Sequence, residues 1–296
     1  NTYIANASGN YTVTVTNNNG CSATSAATVV TVNALPTVAA ITGTTSVCVG
    51  SSTTLADATT GGTWSSSNTA IATVNASTGA VTGVSAGTVT ITYTVTNANG
   101  CTNTATTSVT VNALPTPTIS ANGSTTFCAG NSVVLTASSA STYQWNKNGV
   151  AISGATSATY TATTAGNYTV TVSNANGCTA TSAATTVFVN SLPTATITAG
   201  GSTTVCAGGS VSLSATSGTG YTYQWSNGSG DQTISVTTSG SYTVTITDLN
   251  GCSTTSAATT VTVNPLPTVA SITGNTGVCV GSTTALADRQ SNGIRY

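Results

Sequence analysis

The segment Tyr168-Thr-Val-Thr-Val172 decides the fold class, because large apolar residues alternate in it with threonine. The same alternation occurs in Tyr242-Thr-Val-Thr-Ile246 and in Tyr11-Thr-Val-Thr-Val15. A period of two is typical of β-strands with one buried and one solvated face, and Val and Thr favour such strands. A turn of the type Asn-Ala-Asn-Gly comes after each segment, with Gly supplying a positive φ. No stretch has helical periodicity, so the sequence predicts an all-β chain.

Internal repeats organise the whole sequence. The string Asn-Gly-Cys recurs, a second cysteine recurs in Val-Cys-Val-Gly or a variant of it, and Leu-Pro-Thr recurs at the junctions. These markers define three complete repeats, called here repeat 2 (37–112), repeat 3 (116–190) and repeat 4 (194–264). Residues 1–34 match the second half of repeat 3 (partial repeat 1), and residues 268–288 match the beginning of repeat 2 (partial repeat 5). We expect both to be cut ends, and the non-matching tail 289–296 to have no function.

The composition argues against several classes of function. The 296 residues include three Lys or Arg, four Asp or Glu and no His, with a net charge of −1. Nucleic-acid binding depends on basic residues, acid–base catalysis prefers His or Glu, and metal sites prefer His and clustered carboxylates. The sequence therefore predicts no enzyme, no cofactor or metal, and no nucleic-acid partner. No apolar run is long enough for membrane insertion.

Few single residues are candidates for chemistry. The carboxylates are dispersed along the chain, at Asp57, Asp231, Asp248 and Asp288. We expect Asp248 to shape a hairpin turn and Lys147 to be a solvated turn residue. Tyr221, Tyr223 and Trp225 could form a sugar-binding platform, but alternation turns Tyr223 and Trp225 towards the core.

Three segments of repeat 3 resemble strands of an immunoglobulin-like (Ig-like) domain. Ser132-Val-Val-Leu-Thr136 resembles strand B, the segment 143–152 resembles strands C and C′, and Gly166-Asn-Tyr-Thr-Val170 resembles strand F. Trp145 then takes the place of the strand C tryptophan and Tyr168 that of the tyrosine corner.

Repeat 2 differs from this pattern. Its segments 64–74 and 79–89 resemble the bacterial Ig-like domain of the group 2 type. Together the resemblances imply tandem Ig-like β-sandwiches arranged head to tail. They also imply a core that contains Trp64, Trp145, Trp225, Tyr11, Tyr168 and Tyr242.

Eight cysteines without histidine indicate disulfides and an oxidising compartment. The usual Ig bridge joins strands B and F, which here carry Leu135 and Val170 instead. The resemblance places four "corner cysteines" before strand B: Cys48, Cys128, Cys206 and Cys279. It places four "turn cysteines" after the turn between strands F and G: Cys21, Cys101, Cys178 and Cys252.

Two disulfide pairings remain open at this point. Pairing within repeats (Cys48–Cys101, Cys128–Cys178 and Cys206–Cys252) is the ordinary expectation for small secreted domains. Pairing between neighbouring repeats (Cys48–Cys178 and Cys128–Cys252) is expected if the corner of one repeat faces the F–G turn of the next. A third pairing, of Cys101 with Cys128, is not expected, because two whole strands would separate the cysteines.

The resemblance implies a structural role. The chain is similar to repeat regions of large adhesins and gliding-associated surface proteins of Bacteroidota, which implies an extracellular stalk or fibre. Its partners would be neighbouring Ig-like repeats of the same or identical chains. A self-assembling extracellular filament and a glycan-binding adhesin module are the alternatives.

Overall fold

The computed structural model describes residues 2–287, and these residues form β-strands joined by turns. This confirms the all-β class and the Ig-like β-sandwiches. The described range contains no helix, and therefore none that is long and apolar enough to cross a membrane.

The chain divides into two compact units. Unit 1 takes in the described residues up to Ser120, together with Leu135–Tyr160 and Asn167–Thr185. Unit 2 takes in Ala121–Val134, Thr161–Gly166 and the described residues from Thr186 onwards. The strands of repeat 3 are therefore shared between the two units.

Partial repeat 1 contains two small hairpin-like sheets. Its strands are β1 (Gly9–Tyr11), β2 (Thr14–Thr16), β3 (Ser22–Thr24) and β4 (Thr28–Val30). Strand β1 pairs with β4 and β2 pairs with β3, both antiparallel.

Repeat 2 is a sandwich of two four-stranded sheets. Its strands are β5 (Thr42–Gly43), β6 (Ser46–Cys48), β7 (Ser52–Ala56), β8 (Thr63–Ser66), β9 (Ala72–Val74), β10 (Ala80–Gly83), β11 (Gly87–Thr96) and β12 (Thr102–Asn112). The sheet orders are β5-β7-β10-β9 and β6-β12-β11-β8. Apolar residues that alternate along β11 and β12 meet Leu55 and Trp64 in one buried core.

Repeat 3 has nine strands in the described range: β13 (Ile119–Asn122), β14 (Thr126–Cys128), β15 (Val133–Ala137), β16 (Thr142–Lys147), β17 (Val150–Ala151), β18 (Thr159–Ala162), β19 (Gly166–Ser173), β20 (Thr179–Thr181) and β21 (Thr185–Asn190). In unit 1, β16 pairs with β17 and β19, and β20 pairs with β19. In unit 2, β14 pairs in parallel with β21.

Repeat 4 also has nine strands in the described range: β22 (Ile197–Ala199), β23 (Thr204–Cys206), β24 (Val211–Ala215), β25 (Thr222–Trp225), β26 (Thr233–Val236), β27 (Gly240–Tyr242), β28 (Val244–Thr247), β29 (Ser253–Thr255) and β30 (Thr259–Asn264). Its sheets have the orders β22-β24-β26, β23-β30-β27 and β25-β28-β29. Leu213, Trp225 and Ile246 belong to its core.

The aromatic residues expected in the core occupy it with one exception. Trp64, Trp145, Trp225, Tyr168 and Tyr242 are buried. Tyr11 is only half-buried, and its ring lies against Tyr3. The expectation that Tyr11 lies in the core is thus corrected. The reason is that β1–β4 form only two-stranded sheets among the described residues.

Candidate functional site

The corner cysteines of the complete repeats end a short strand that runs parallel to the last strand of the same repeat. In repeat 2, β6 pairs with β12, so that Cys48 lies in register with Asn112. Cys128 and Asn190 are paired in the same way, as are Cys206 and Asn264. The residue after each cysteine closes the ladder, since the N–H of Val49 donates to the carbonyl O of Asn112 at 3.0 Å. Each corner cysteine is therefore fixed beside an asparagine that ends its repeat.

The turn cysteines are positioned by an asparagine or, before Cys252, by an aspartate four residues earlier. The Oδ1 of Asn174 accepts hydrogen bonds from the N–H of Asn176 and of Cys178, both at 3.1 Å. Gly177 adopts φ 77°, which a glycine tolerates without steric cost. Asn17 and Asn97 form the same turn, and Asp248 forms it with its carboxylate. The hairpin role expected for Asp248 is thereby confirmed.

In unit 1 this turn also holds the linker that precedes its repeat. The Nδ2 of Asn174 donates to the carbonyl O of Ala113 at 2.9 Å, and Asn97 donates to Ala34 at the same distance. The sulfur of Cys178 lies 4.0 Å from the carbonyl O of Asn112. Because Cys48 is in register with that same asparagine, the linker brings the two cysteines together.

Two disulfides join neighbouring repeats. Cys48 bonds to Cys178 with a Cα–Cα distance of 5.7 Å, and Cys128 bonds to Cys252 with a Cα–Cα distance of 5.5 Å. These are the pairs of the between-repeat alternative.

The within-repeat pairs (Cys48–Cys101, Cys128–Cys178 and Cys206–Cys252) are not formed, and the geometry of repeat 2 shows why. Cys101 precedes β12, whereas Cys48 lies in register with Asn112 at the other end of that strand. Ten residues of β-strand span about 33 Å, whereas bonded cysteines have Cα atoms less than about 7 Å apart.

The other four cysteines are free thiols: Cys21, Cys101, Cys206 and Cys279. Cys101 resembles its bonded counterpart Cys178 closely, because its sulfur lies 3.9 Å from the carbonyl O of Asn33. Cys206 is likewise paired with Asn264 between β23 and β30, as the bonded corner cysteines are with their asparagines, and it is exposed to solvent.

The last strand is interrupted between β20 and β21 in repeat 3 and between β29 and β30 in repeat 4. At each interruption a buried serine, which sequence patterns did not reveal, forms hydrogen bonds with the backbone. The hydroxyl of Ser182 accepts a hydrogen bond from the N–H of Val170 at 3.1 Å and donates to the carbonyl O of Ala183 at 2.8 Å. Ser256 makes the same pair of bonds with Val244 and Ala257. The recurring string Thr-Ser-Ala-Ala was the available signal.

Polar candidates elsewhere are isolated. Asp57 lines a cleft of about 620 Å³ in repeat 2, with Oδ1 accepting from the N–H of Thr59 and Oδ2 buried without a partner among the described residues. A single carboxylate provides too few ligands for a divalent cation, and the described residues contain no group of three metal-binding side chains. Asp231 accepts from the hydroxyl of Ser229, whereas Asp288 and the tail 289–296 lie outside the described residues.

The remaining expectations concern repeats 3 and 4. Lys147 ends β16 and is half-buried, so it lies in a strand; the turn begins at Asn148, which has φ 51°. Tyr221 and Tyr223 are half-buried and pack against the core to which Trp225 belongs.

Comparison with known proteins gives one family match. Residues 27–106 match the bacterial Ig-like domain (group 2). This range contains the two segments of repeat 2 that resemble the group 2 type. No curated protein matches the chain.

Solved structures that resemble the chain are distant. A Ca²⁺-stabilized adhesin that helps an Antarctic bacterium bind ice is 19% identical over 86% of this chain and 81% of its own, with a TM-score of 0.30. A 1.5-MDa bacterial ice-binding adhesin is 17% identical over 75% of this chain and 95% of its own, with a TM-score of 0.27. Three domains of the outer capsid protein Hoc of bacteriophage RB49 are 22% identical over 50% of this chain, with a TM-score of 0.27; the chain spans 59% of their length. Similarities of this kind carry no conclusion about function.

Proposed function

We propose that the chain is a structural repeat region, a stalk or fibre, of a large bacterial surface protein or adhesin. The observation that carries the proposal is the pair of disulfides between neighbouring repeats. A bridge within one sandwich would stabilise that sandwich alone. A bridge between repeats instead links one repeat covalently to its neighbour and so reinforces the whole string of repeats.

The surface composition supports a passive, hydrated role. On the outer face of repeat 2, β11 and β12 place hydroxyl residues opposite each other, with Thr94 beside Thr104 and Thr96 beside Thr102. Hydroxyls keep this face hydrated without charge, so salt has little to screen.

The disulfides and the match to a bacterial Ig-like domain support an extracellular location. Among extracellular bacterial proteins, we place the chain with the repeat regions of Bacteroidota surface proteins. Its partners are further Ig-like repeats, and the repeats themselves have no enzymatic activity.

The two disulfides overlap along the sequence, which sets how far the chain can be stretched. The bridges span 130 and 124 residues, and Cys128 lies inside the first span. The shortest covalent path from Cys48 to Cys252 passes through both bridges and only the backbone between Cys128 and Cys178. Tension applied to the ends therefore bypasses most of repeats 2 and 4 and passes through the backbone of repeat 3 between Cys128 and Cys178.

Single-molecule stretching tests this function. At about 3.3–3.6 Å per residue, complete reduction should lengthen the fully extended chain by roughly 50 nm. Replacing Cys48 and Cys178 by serine should release only about a fifth of that length, because the Cys128–Cys252 bridge still shields most of it. Equal contour lengths before and after reduction would refute a mechanical role of the bridges.

A further inference from the structure

A cleft in repeat 2 brings apolar and polar side chains together. It has a volume of about 620 Å³ and is lined by the end of β7, the segment from β7 to β8, and the turn between β9 and β10. Leu55, Trp64 and Tyr93, which belong to the core of the repeat, form its apolar part. Side chains such as Thr60 and Ser77 contribute hydroxyl groups. Sites for small molecules typically have volumes of about 300–1,000 Å³ and an apolar lining with a few polar groups, so the cleft has the size and lining of such a site.

Asp57 of this cleft occupies a position that faces the core in the other complete repeats. It stands two residues after the buried leucine of its repeat, where Ala137 and Ala215 are buried in repeats 3 and 4. Among the described residues, its carboxylate accepts one hydrogen bond, from the N–H of Thr59 at 2.8 Å, and its Oδ2 is buried without a partner. An ionised carboxylate can accept about four hydrogen bonds, and repeat 2 contains no Lys, Arg or His to pair with it. Because a buried charge without partners is costly and alanine suffices for the fold, the carboxylate indicates a binding role.

Trp64 adds a hydrogen-bond donor to the same cleft. In repeats 3 and 4 the indole N–H of the equivalent tryptophan donates to a backbone carbonyl, at 2.9 Å from Trp145 and at 2.7 Å from Trp225. Among the described residues, the indole N–H of Trp64 has no acceptor. Gly79 leaves space beside this group, since a Cβ at that position would lie 3.1 Å from the Nε1 of Trp64. Repeat 2 therefore combines a carboxylate acceptor and an indole donor, neither of which its own fold satisfies.

Hydrogen bonds hold the segments that line the cleft in place. The hydroxyl of Tyr93 donates to the carbonyl O of Thr59 at 2.7 Å and accepts from the N–H of Gly62 at 2.9 Å, which fixes the segment between β7 and β8. In the turn between β9 and β10, the Oδ1 of Asn75 accepts from the N–H of Ser77 at 3.1 Å. A site whose loops are already ordered loses less conformational entropy when a ligand binds.

We propose that this cleft binds a neutral sugar residue of a glycan, which goes beyond the stalk function and does not depend on it. Sugar hydroxyls would donate to the carboxylate of Asp57, and a sugar oxygen would accept from the indole N–H of Trp64. The C–H groups of the sugar ring would cover the apolar part of the cleft. A rotation about χ2 of Asp57, which is a soft torsion, turns an oxygen towards the ligand. An ammonium group fits less well, because it has donors only and leaves the indole N–H without an acceptor.

Nuclear magnetic resonance of the whole 296-residue chain labelled with ¹⁵N tests the proposal, with the indole signals of its three tryptophans as the readout. The probes are the methyl glycosides of glucose, galactose, mannose and N-acetylglucosamine. We expect at least one of them to shift the signal of Trp64, assigned with Trp64→Phe, with half-saturation at about 1–10 mM. The signals of Trp145 and Trp225 should stay in place, because their N–H groups are bonded inside their own repeats.

Three results of this titration would overturn the proposal. The first is that none of the four glycosides shifts the signal of Trp64. The second is that all three indole signals shift together, which indicates a bulk effect of the added sugar. The third is that methylammonium chloride shifts the signal of Trp64 while the glycosides do not, which would assign the cleft to a cationic amine.

Substitution of Asp57 tests the role of the carboxylate. Asp57→Asn keeps an acceptor for the N–H of Thr59 but removes the charge, so the half-saturation concentration should rise about tenfold. Asp57→Ala should abolish the shift without lowering the melting temperature, because alanine occupies this position in repeats 3 and 4. Asp231→Asn is the matched control, since Asp231 is exposed in repeat 4 and its removal changes the net charge equally. Equal affinities of Asp57→Asn and the unmodified chain would refute the role of Asp57.

A second pair of variants locates the bound sugar. Ala76 is exposed and lines the cleft, whereas Ala58 is exposed in the neighbouring segment and is not among the lining residues. Ala76→Ile should weaken binding about tenfold or more, because its side chain takes up space that the ligand needs. Ala58→Ile should leave the affinity unchanged. Equal affinities of both variants would place the sugar outside this cleft and contradict the proposal.

Discussion

Ser182 supports the last strand of repeat 3 with two hydrogen bonds of its hydroxyl. Its hydroxyl is the acceptor for the buried N–H of Val170. Replacing it by alanine leaves that N–H without a partner, and an unsatisfied buried donor costs about 1–3 kcal/mol. We therefore expect Ser182→Ala to lower the free energy of unfolding by that amount in chemical denaturation.

The matched control for this variant is Thr181→Ala. Thr181 is exposed, and among the described residues its hydroxyl bonds only to that of Thr171, at 2.9 Å. A change of less than about 0.5 kcal/mol is expected for such a surface substitution. Equal losses for both variants would contradict the role of Ser182.

Asn174 combines two functions that a single substitution separates. Asp248 shows that a carboxylate builds the same turn, so Asn174→Asp should keep the turn and lose only the Nδ2 donor to Ala113. We expect a loss of about 0.5–1.5 kcal/mol and faster proteolysis in the linker after Ala113. Asn176→Asp adds the same charge in the same turn without touching that bond, and it should behave like the unmodified chain.

Among single residues, those governed by periodicity and turn chemistry were predictable from the sequence. The alternation in Tyr168–Val172 placed Tyr168 and Val170 in the core, and the Asn-x-x-Gly pattern placed the turns. The position of Tyr11 was not predictable, because an identical local pattern is buried only when other strands cover it. The hydrogen bond from Asn174 to Ala113 was not predictable from the sequence either, because no local pattern relates these two residues.

Among the structural elements, the short parallel strand before strand B determines where the corner cysteine lies. It fixes the corner cysteine at one end of the sandwich, while the F–G turn fixes the other cysteine at the opposite end. The choice between the two pairings depends on this register. Sequence patterns give strand positions only within a few residues, so they leave both pairings open.

This arrangement predicts how a sandwich responds when its bridges are lost. Leu135, Trp145 and Tyr168 are fully buried without a disulfide through the core of repeat 3. The double variant Cys48→Ser, Cys178→Ser should therefore retain the near-ultraviolet circular dichroism of buried tryptophan. It should lose about 2–4 kcal/mol of overall stability, the usual contribution of a disulfide. Complete loss of the tryptophan signal would contradict a bridge that links repeats.

For the molecule as a whole, the scarcity of titratable groups predicts a flat pH response. With no histidine, no side chain of the sequence has its ordinary pKa between about pH 5 and 8. With the free thiols blocked, thermal unfolding should change little across that interval, or between low and high salt. A marked acid transition within it would contradict this expectation.

Stability should fall at alkaline pH instead, in part through Tyr160. Burial raises the pKa of Tyr160 above its ordinary 10.0, and the neighbouring Tyr168 raises it further. Because the folded state favours the neutral phenol, this contribution is complete below about pH 10 and is lost as the pH rises through the raised pKa. Tyr160→Phe should make the alkaline decline of the melting temperature shallower.

The disulfides that join neighbouring repeats are central to the proposed stalk, and mass-spectrometric mapping of non-reduced peptides tests them most directly. We predict peptides that link Cys48 to Cys178 and Cys128 to Cys252. A peptide that links Cys128 to Cys178 would instead place the bridge inside repeat 3 and contradict a stalk reinforced between its repeats.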